Sequence, residues 1–234
     1  MNTNRLLTLA ACTAGLLAFI SNGHAQDMSV SQRVAALKGN IQTAKIILHN
    51  YEWIQTTTVT HNGDVVSTKQ ERCYYGDDGS LQKVELSDEQ AQQRQGLLFR
   101  RIRQAAKDEM TDYMYSAVAL VKNYVPPRSS LIETVKENGN ISLQPISESR
   151  ARVVMQGYYK PGDTYSIEVN LRNNRPVALR VSTYVNDPSD PVTLRAEMGQ
   201  LDNGATYPEN ITLNADNEGI TIQVHNGGYR RSNE

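Results

Sequence analysis

The sequence predicts an α+β fold: a strongly curved antiparallel β-sheet, an unclosed half-barrel, packed on one long helix and two shorter helices. Three observations lead there. Seven segments after Asn140 alternate apolar and polar residues with a period of two, and turn residues separate them. Residues 97–124 carry an apolar stripe at steps of three and four. A helix followed by a three-stranded meander precedes both. Sheets with one apolar face and helices with one apolar stripe bury each other by layering.

The chain opens with Arg5 as the only charge before an apolar run from Leu6 to Ile20, then Gly23-His24-Ala25. That order of charge, apolar run and small residues reads as a cleavable secretory signal over 1–25. The run is shorter than the roughly 20 residues that span a bilayer. Leu9-Ala10-Ala11-Cys12 has the look of a lipoprotein cleavage box. Because the apolar run continues past Cys12, that cysteine is read as part of the signal. Residues 26–234 are then one exported, periplasmic domain, not membrane-spanning. The formal net charge of −1 argues against a nucleic-acid partner. Cys73 is left as the one cysteine after cleavage, so no internal disulfide supports the fold. At strand spacing it reads as a small buried hydrophobe.

The elements follow in order. Val34, Leu37, Ile41, Ala44 and Leu48 place a helix over 31–50, with Ser29 or Ser31 as its cap. Residues 51–60 turn to β-formers, and Asn62-Gly63 marks a hairpin into a strand over 65–75. Gly76 to Gly79 turns again into a third strand, 80–86. The Gln-rich stretch 87–95 reads as a surface loop or a frayed helix start. The long helix over 97–124 stops at Pro126-Pro127. Its basic start, Arg100, Arg101 and Arg103, opposes the helix dipole. These arginines face either solvent or anionic headgroups. Ser130 and Glu133 have capping-box spacing for a short helix over 130–138. Strands are expected over 141–146, 150–160, 164–171, 176–185, 192–201, 206–214 and 220–225. In one of them Tyr165, Ile167, Val169 and Leu171 share a face, and Ser166, Glu168 and Asn170 the other. Short turns and one wet face indicate an antiparallel meander.

Enzymatic patterns were sought. His49, His61 and His225 stand far apart, with no H-E-x-x-H, no paired C-x-x-C, no Gly-x-Ser-x-Gly and no phosphate loop. The expectation is a non-enzymatic protein without metal or cofactor. Trp53, Met110, Tyr113, Met114, Met155 and Tyr159 are singled out as lining an apolar pocket between helix and sheet, because Met adapts to varied ligands. The plainer reading of the same residues is core, since an apolar stripe at helical spacing is needed for folding whether or not a cavity remains.

Three stretches carry a resemblance: Tyr124-Val125-Pro126-Pro127, Lys160-Pro161-Gly162-Asp163 and Asn226-Gly227-Gly228-Tyr229. With the element order, they make the chain resemble the LolA/LolB/RseB superfamily of periplasmic lipoprotein carriers. The resemblance implies an unclosed barrel covered by helices, with an acyl chain, lipid or lipoprotein held in the half-barrel. The alternative is a protein-interaction or sensor module with a filled core and an envelope protein as partner. No carrier's ligand-contacting residues match positions here. With Phe19 and Phe99 the only phenylalanines, a cavity would be lined by aliphatic residues, Met, Tyr and Trp53.

Overall fold

The structure, a computed structural model, describes residues 28–89 and 112–232. The signal segment, Met110 and the basic cluster at Arg100 to Arg103 lie outside the described residues. Helix α1 is Val30–Leu48. Strands β1 (Tyr51–His61), β2 (Asp64–Tyr75) and β3 (Leu81–Glu89) follow. Helix α2 covers 112–121 among the described residues, the rest of the expected 97–124 helix lying outside them, and α3 is Ser129–Glu137. Then come β4 (Ile141–Ser147), β5 (Arg150–Gln156), β6 (Thr164–Asn170), β7 (Pro176–Tyr184), β8 (Pro191–Gln200), β9 (Thr206–Ala215) and β10 (Ile220–Arg231). No described helix is long and apolar enough to cross a membrane.

All ten strands form one antiparallel sheet in the order β3-β2-β1-β10-β9-β8-β7-β6-β5-β4. The last strand returns to pair with the first, so the two meanders join, and β3 and β4 are the edges among the described strands. The stretch between them in sequence, which includes α2 and α3, therefore connects the two edges. Ser29 starts α1 with a full capping box: its Oγ accepts from Gln32 N at 3.2 Å, and Gln32 Oε1 accepts from Ser29 N at 2.8 Å.

The register shows where the interior lies. One rung of directly opposed residues runs Val59, Ile222, Leu213, Leu194, Val181, Tyr165, Met155, Ile141 across eight strands. Opposed residues point to one face, so this face is apolar from β1 to β4. Leu37 of α1, Ala117 and Val121 of α2, and Ile132 and Val135 of α3 share one buried cluster with it. Continued into β2, the same rung meets Ser67. The next residues on that face are Lys69 and Glu71, and the apolar interior ends there.

Several expected boundaries move, most of all that of β10, which was expected over 220–225 and runs on to Arg231 because its far half pairs with the start of β1. β3 runs to Glu89, with Ser87, Asp88 and Glu89 opposite Gln70, Lys69 and Thr68, where a loop was expected. The ladder is made by backbone groups, and polar side chains on an edge do not prevent it. β5 ends at Gln156, not Lys160, because the Asp163 carboxylate takes the next amides. α3 begins at Ser129 after Arg128, with no side-chain cap, so the Ser130–Glu133 box does not form.

Candidate functional site

Two of the three quoted motifs meet in one buried clamp. Asp163 is 1% exposed. Its Oδ1 accepts from Tyr158 N at 2.6 Å, and its Oδ2 from Tyr159 N at 3.0 Å, Lys160 N at 2.8 Å and the Tyr124 hydroxyl at 2.6 Å. The Tyr124 hydroxyl also lies 2.8 Å from Thr183 Oγ1. Burial first, and then the Asp163 carboxylate, push the Tyr124 phenol well above its ordinary value. Four donors converge on the carboxylate, three of them on Oδ2. This is a fastening of the segment after α2 to the β5–β6 turn, and it leaves no group free for proton transfer. Tyr158 adds to it by stacking on Tyr165 at 4.7 Å and accepting from Arg128 N at 2.7 Å.

The third motif lies at the opposite end of the sheet, where β1 starts and β10 ends. Tyr229 stacks on Trp53 with ring centres 5.4 Å apart, and Trp53 Nε1 donates to Asn226 Oδ1 at 3.2 Å. Tyr75 and Tyr207 extend this aromatic cluster. Cys73 is fully buried beside it, and burial pushes its thiol up. A thiol in that state is a poor nucleophile.

The residues singled out from the sequence are thus divided. Trp53 belongs to the aromatic cluster. Tyr113 donates to Asp190 Oδ1 at 2.6 Å at the other end, by the β7–β8 turn. Met114 is half-buried against the core cluster, and Met155 is fully buried within it. Tyr159 is 42% exposed, edge-on to Tyr124, with the Arg128 guanidinium 5.5 Å from its ring. Met110 lies outside the described residues.

A hollow remains where α1, α3 and the edge strand β4 meet. It is a groove of about 260 Å³ lined by Val30, Val34, Ala35, Ile132 and Ile141, with Ser31 and Ser129 between them. Lys38, Lys136 and Glu133 stand at its rim. Lys136 Nζ lies 3.5 Å from Glu133 Oε2. Lys38 forms no salt bridge among the described residues. Met155 stands directly opposite Ile141 in the ladder, so the groove's strand wall continues into the core. Sequence reasoning missed these residues. Nothing local says that two helix faces part over a third element. Among the described residues, no group of three or more His, Cys, Asp or Glu is placed to hold a metal ion.

No family model matches the chain, and no curated protein matches it. Solved structures similar to it include a LolA superfamily protein from Nitrosomonas europaea, at 12% identity over 83% of this chain and 93% of that one, with a TM-score of 0.34. A DUF1329 family protein from Desulfovibrio piger has 8% identity over 84% of this chain and 93% of that one, with a TM-score of 0.37. MucB from the MucA/MucB complex of Pseudomonas aeruginosa has 9% identity over 84% of this chain and 99% of that one, with a TM-score of 0.24. The resemblance read from the sequence recurs among these structures. At TM-scores of 0.24 to 0.37 the overlays carry no argument about function, which rests on the residues above.

Proposed function

We propose that this chain is an exported, non-enzymatic envelope protein that holds one apolar chain, the acyl chain of a lipid or lipoprotein, in the groove between α1, α3 and β4. The observation that carries the reading is the groove itself. Five aliphatic side chains line a hollow that the described side chains do not fill, beside the buried apolar cluster of the interior. Each methylene placed there contributes about 0.8 kcal/mol. The volume is below the roughly 300–1,000 Å³ of a drug-sized pocket, which suits one short stretch of chain rather than a bulky ligand. In this reading Met155 backs the groove opposite Ile141, and Trp53, Tyr113, Met114 and Tyr159 lie outside its lining.

The test is native mass spectrometry with organic extraction of the purified protein, repeated with Ala35→Trp. Ala35 is exposed on α1, so the indole fills the groove without crowding the core. Acyl lipid recovered from the wild type and lost from A35W is the expected result. A clean apo mass, together with no heat of binding on adding a fatty acid or fatty alcohol, removes the reading.

A second reading rests on a different observation. Leu81, Val84 and Leu86 are exposed on the open edge strand β3. An unpaired edge with apolar side chains is a template for an added strand. Here the partner is an envelope protein, and Val84→Lys abolishes its capture while leaving lipid extraction unchanged.

A further inference from the structure

Resting on the groove reading above, we infer that the bound chain carries an anionic head, and that Lys38 on α1 is the residue that selects it. The groove is apolar in its walls and positive at its rim. Two ammonium groups, Lys38 and Lys136, stand there against one carboxylate, Glu133. That carboxylate is already 3.5 Å from Lys136, and Lys38 has no ionic partner among the described residues. A lysine lays its methylene stem along apolar surface while its ammonium stays in water. Lys38 therefore extends the aliphatic wall and ends in a charge at the mouth. Val34 and Lys38 are one turn apart on α1, so wall and charge lie on the same helix face. The Ser31 and Ser129 hydroxyls add neutral donors nearby. A neutral alcohol or ester satisfies the walls but gains nothing from either lysine. An ionised carboxylate or phosphate on the same chain gains from both. The shared chemistry is an anionic oxygen head on a single acyl or alkyl chain, as in a fatty acid or a phosphate-bearing lipid.

Calorimetric titration of the full chain with octanoate, octyl phosphate and 1-octanol tests this. Expected at low salt is tighter binding of both anions than of the alcohol, by about three- to five-fold, the upper scale of one exposed charge pair. Lys38→Gln reduces that preference about three- to five-fold. Lys45→Gln, which removes the same charge from the last turn of α1, leaves it intact. Molar salt collapses the preference by screening. Preference for octyl phosphate over octanoate supports the proposal and assigns the source to a lipid phosphate. Equal preference supports it with a carboxylate sufficing. If 1-octanol binds as well as octanoate and octyl phosphate, the head selection is wrong while the apolar groove stands. If the anions are preferred but K38Q changes nothing, the assignment to Lys38 is wrong. If none of the three binds, the groove reading fails, and this inference with it.

Discussion

The same face of the same sheet is built in two ways. On β5 to β9 it is apolar and covered: Val153, Tyr165, Ile167, Val181, Val192 and Leu213 are buried under α1, α2 and α3. On β2 and β3 it is charged. Lys69 Nζ lies 2.9 Å from Glu71 and 3.2 Å from Glu85, and Lys83 Nζ lies 3.4 Å from Glu71. Leu81, opposite Tyr75 on that face, is exposed. One half is held by burial under helices. The other is held by backbone ladders, cross-strand ion pairs and the aromatic cluster around Trp53. The difference teaches that alternation assigns a residue to a face, while a helix above that face decides whether it becomes core.

The comparison breaks most sharply by shortening one side chain in each half. Ile167→Ala in the covered half is expected to cost about 2–5 kcal/mol, because it leaves a cavity in packed surroundings. Leu81→Ala in the open half, opposite Tyr75 on the same face, is expected to stay within about 0.5 kcal/mol, as exposed substitutions do. Urea unfolding followed by circular dichroism reads both. Similar losses at the two sites mean that the open half is covered too.

Next in size is the clamp. Asp163→Asn replaces one carboxylate oxygen with an amide donor, and that donor then opposes either the backbone amide or the other donors around it. The expected loss is about 1–3 kcal/mol. Tyr124→Phe removes the hydroxyl from the same site and costs a similar amount. The double variant should cost less than the two losses added, since both act on one network.

Acid unfolding separates the halves by their ion pairs. Burial raises the Glu71 carboxyl, but its hydrogen bond to Lys69 and the charges of Lys83 and Lys69 outweigh that, so it titrates below its ordinary value of 4.5. Glu168, in the covered half, behaves likewise through Arg152 and Arg180. A depressed folded value means stability that is present in full above about pH 4.5 and lost as the pH falls through the folded value. Glu71→Gln and Glu168→Gln should each flatten that acid arm, by less than about 1 kcal/mol since their partners are substantially exposed. Stability measured from pH 6 to 3 checks it, and an unchanged slope means that the pairs do not form.

The smallest expected effect is favourable. Tyr165 is fully buried, and its hydroxyl has no partner among the described residues. Tyr165→Phe keeps the ring stacked on Tyr158 and removes an unsatisfied group. It should be neutral or stabilising by up to about 1 kcal/mol. A clear destabilisation means that a water or ligand bonds the hydroxyl.

Much of the fold was legible in the sequence. Strands β6 to β10 could be read because the causes are local: period-two alternation, and turns such as Pro161-Gly162-Asp163, where Gly162 has φ +81°. Ser29 as the cap of α1 was legible for the same reason. The site was much less so. Trp53, Tyr113, Met114, Met155 and Tyr159 were chosen by residue type, and type does not report location. Trp53 and Tyr113 sit at opposite ends of the sheet, and Met155 is inside the packed core.

By itself the sequence determined which segments are strands, which face of each is apolar, and where the chain turns. Those properties follow from side-chain spacing and backbone preference within a few residues. The tertiary structure alone decided that β10 closes onto β1, pairing Val59 with Ile222. It alone decided which half of the sheet the helices cover. It alone set Val34, Ile132 and Ile141 around one hollow with Lys38 at its mouth. These are meetings of residues distant in the chain, and they depend on how whole faces pack, which no local pattern encodes.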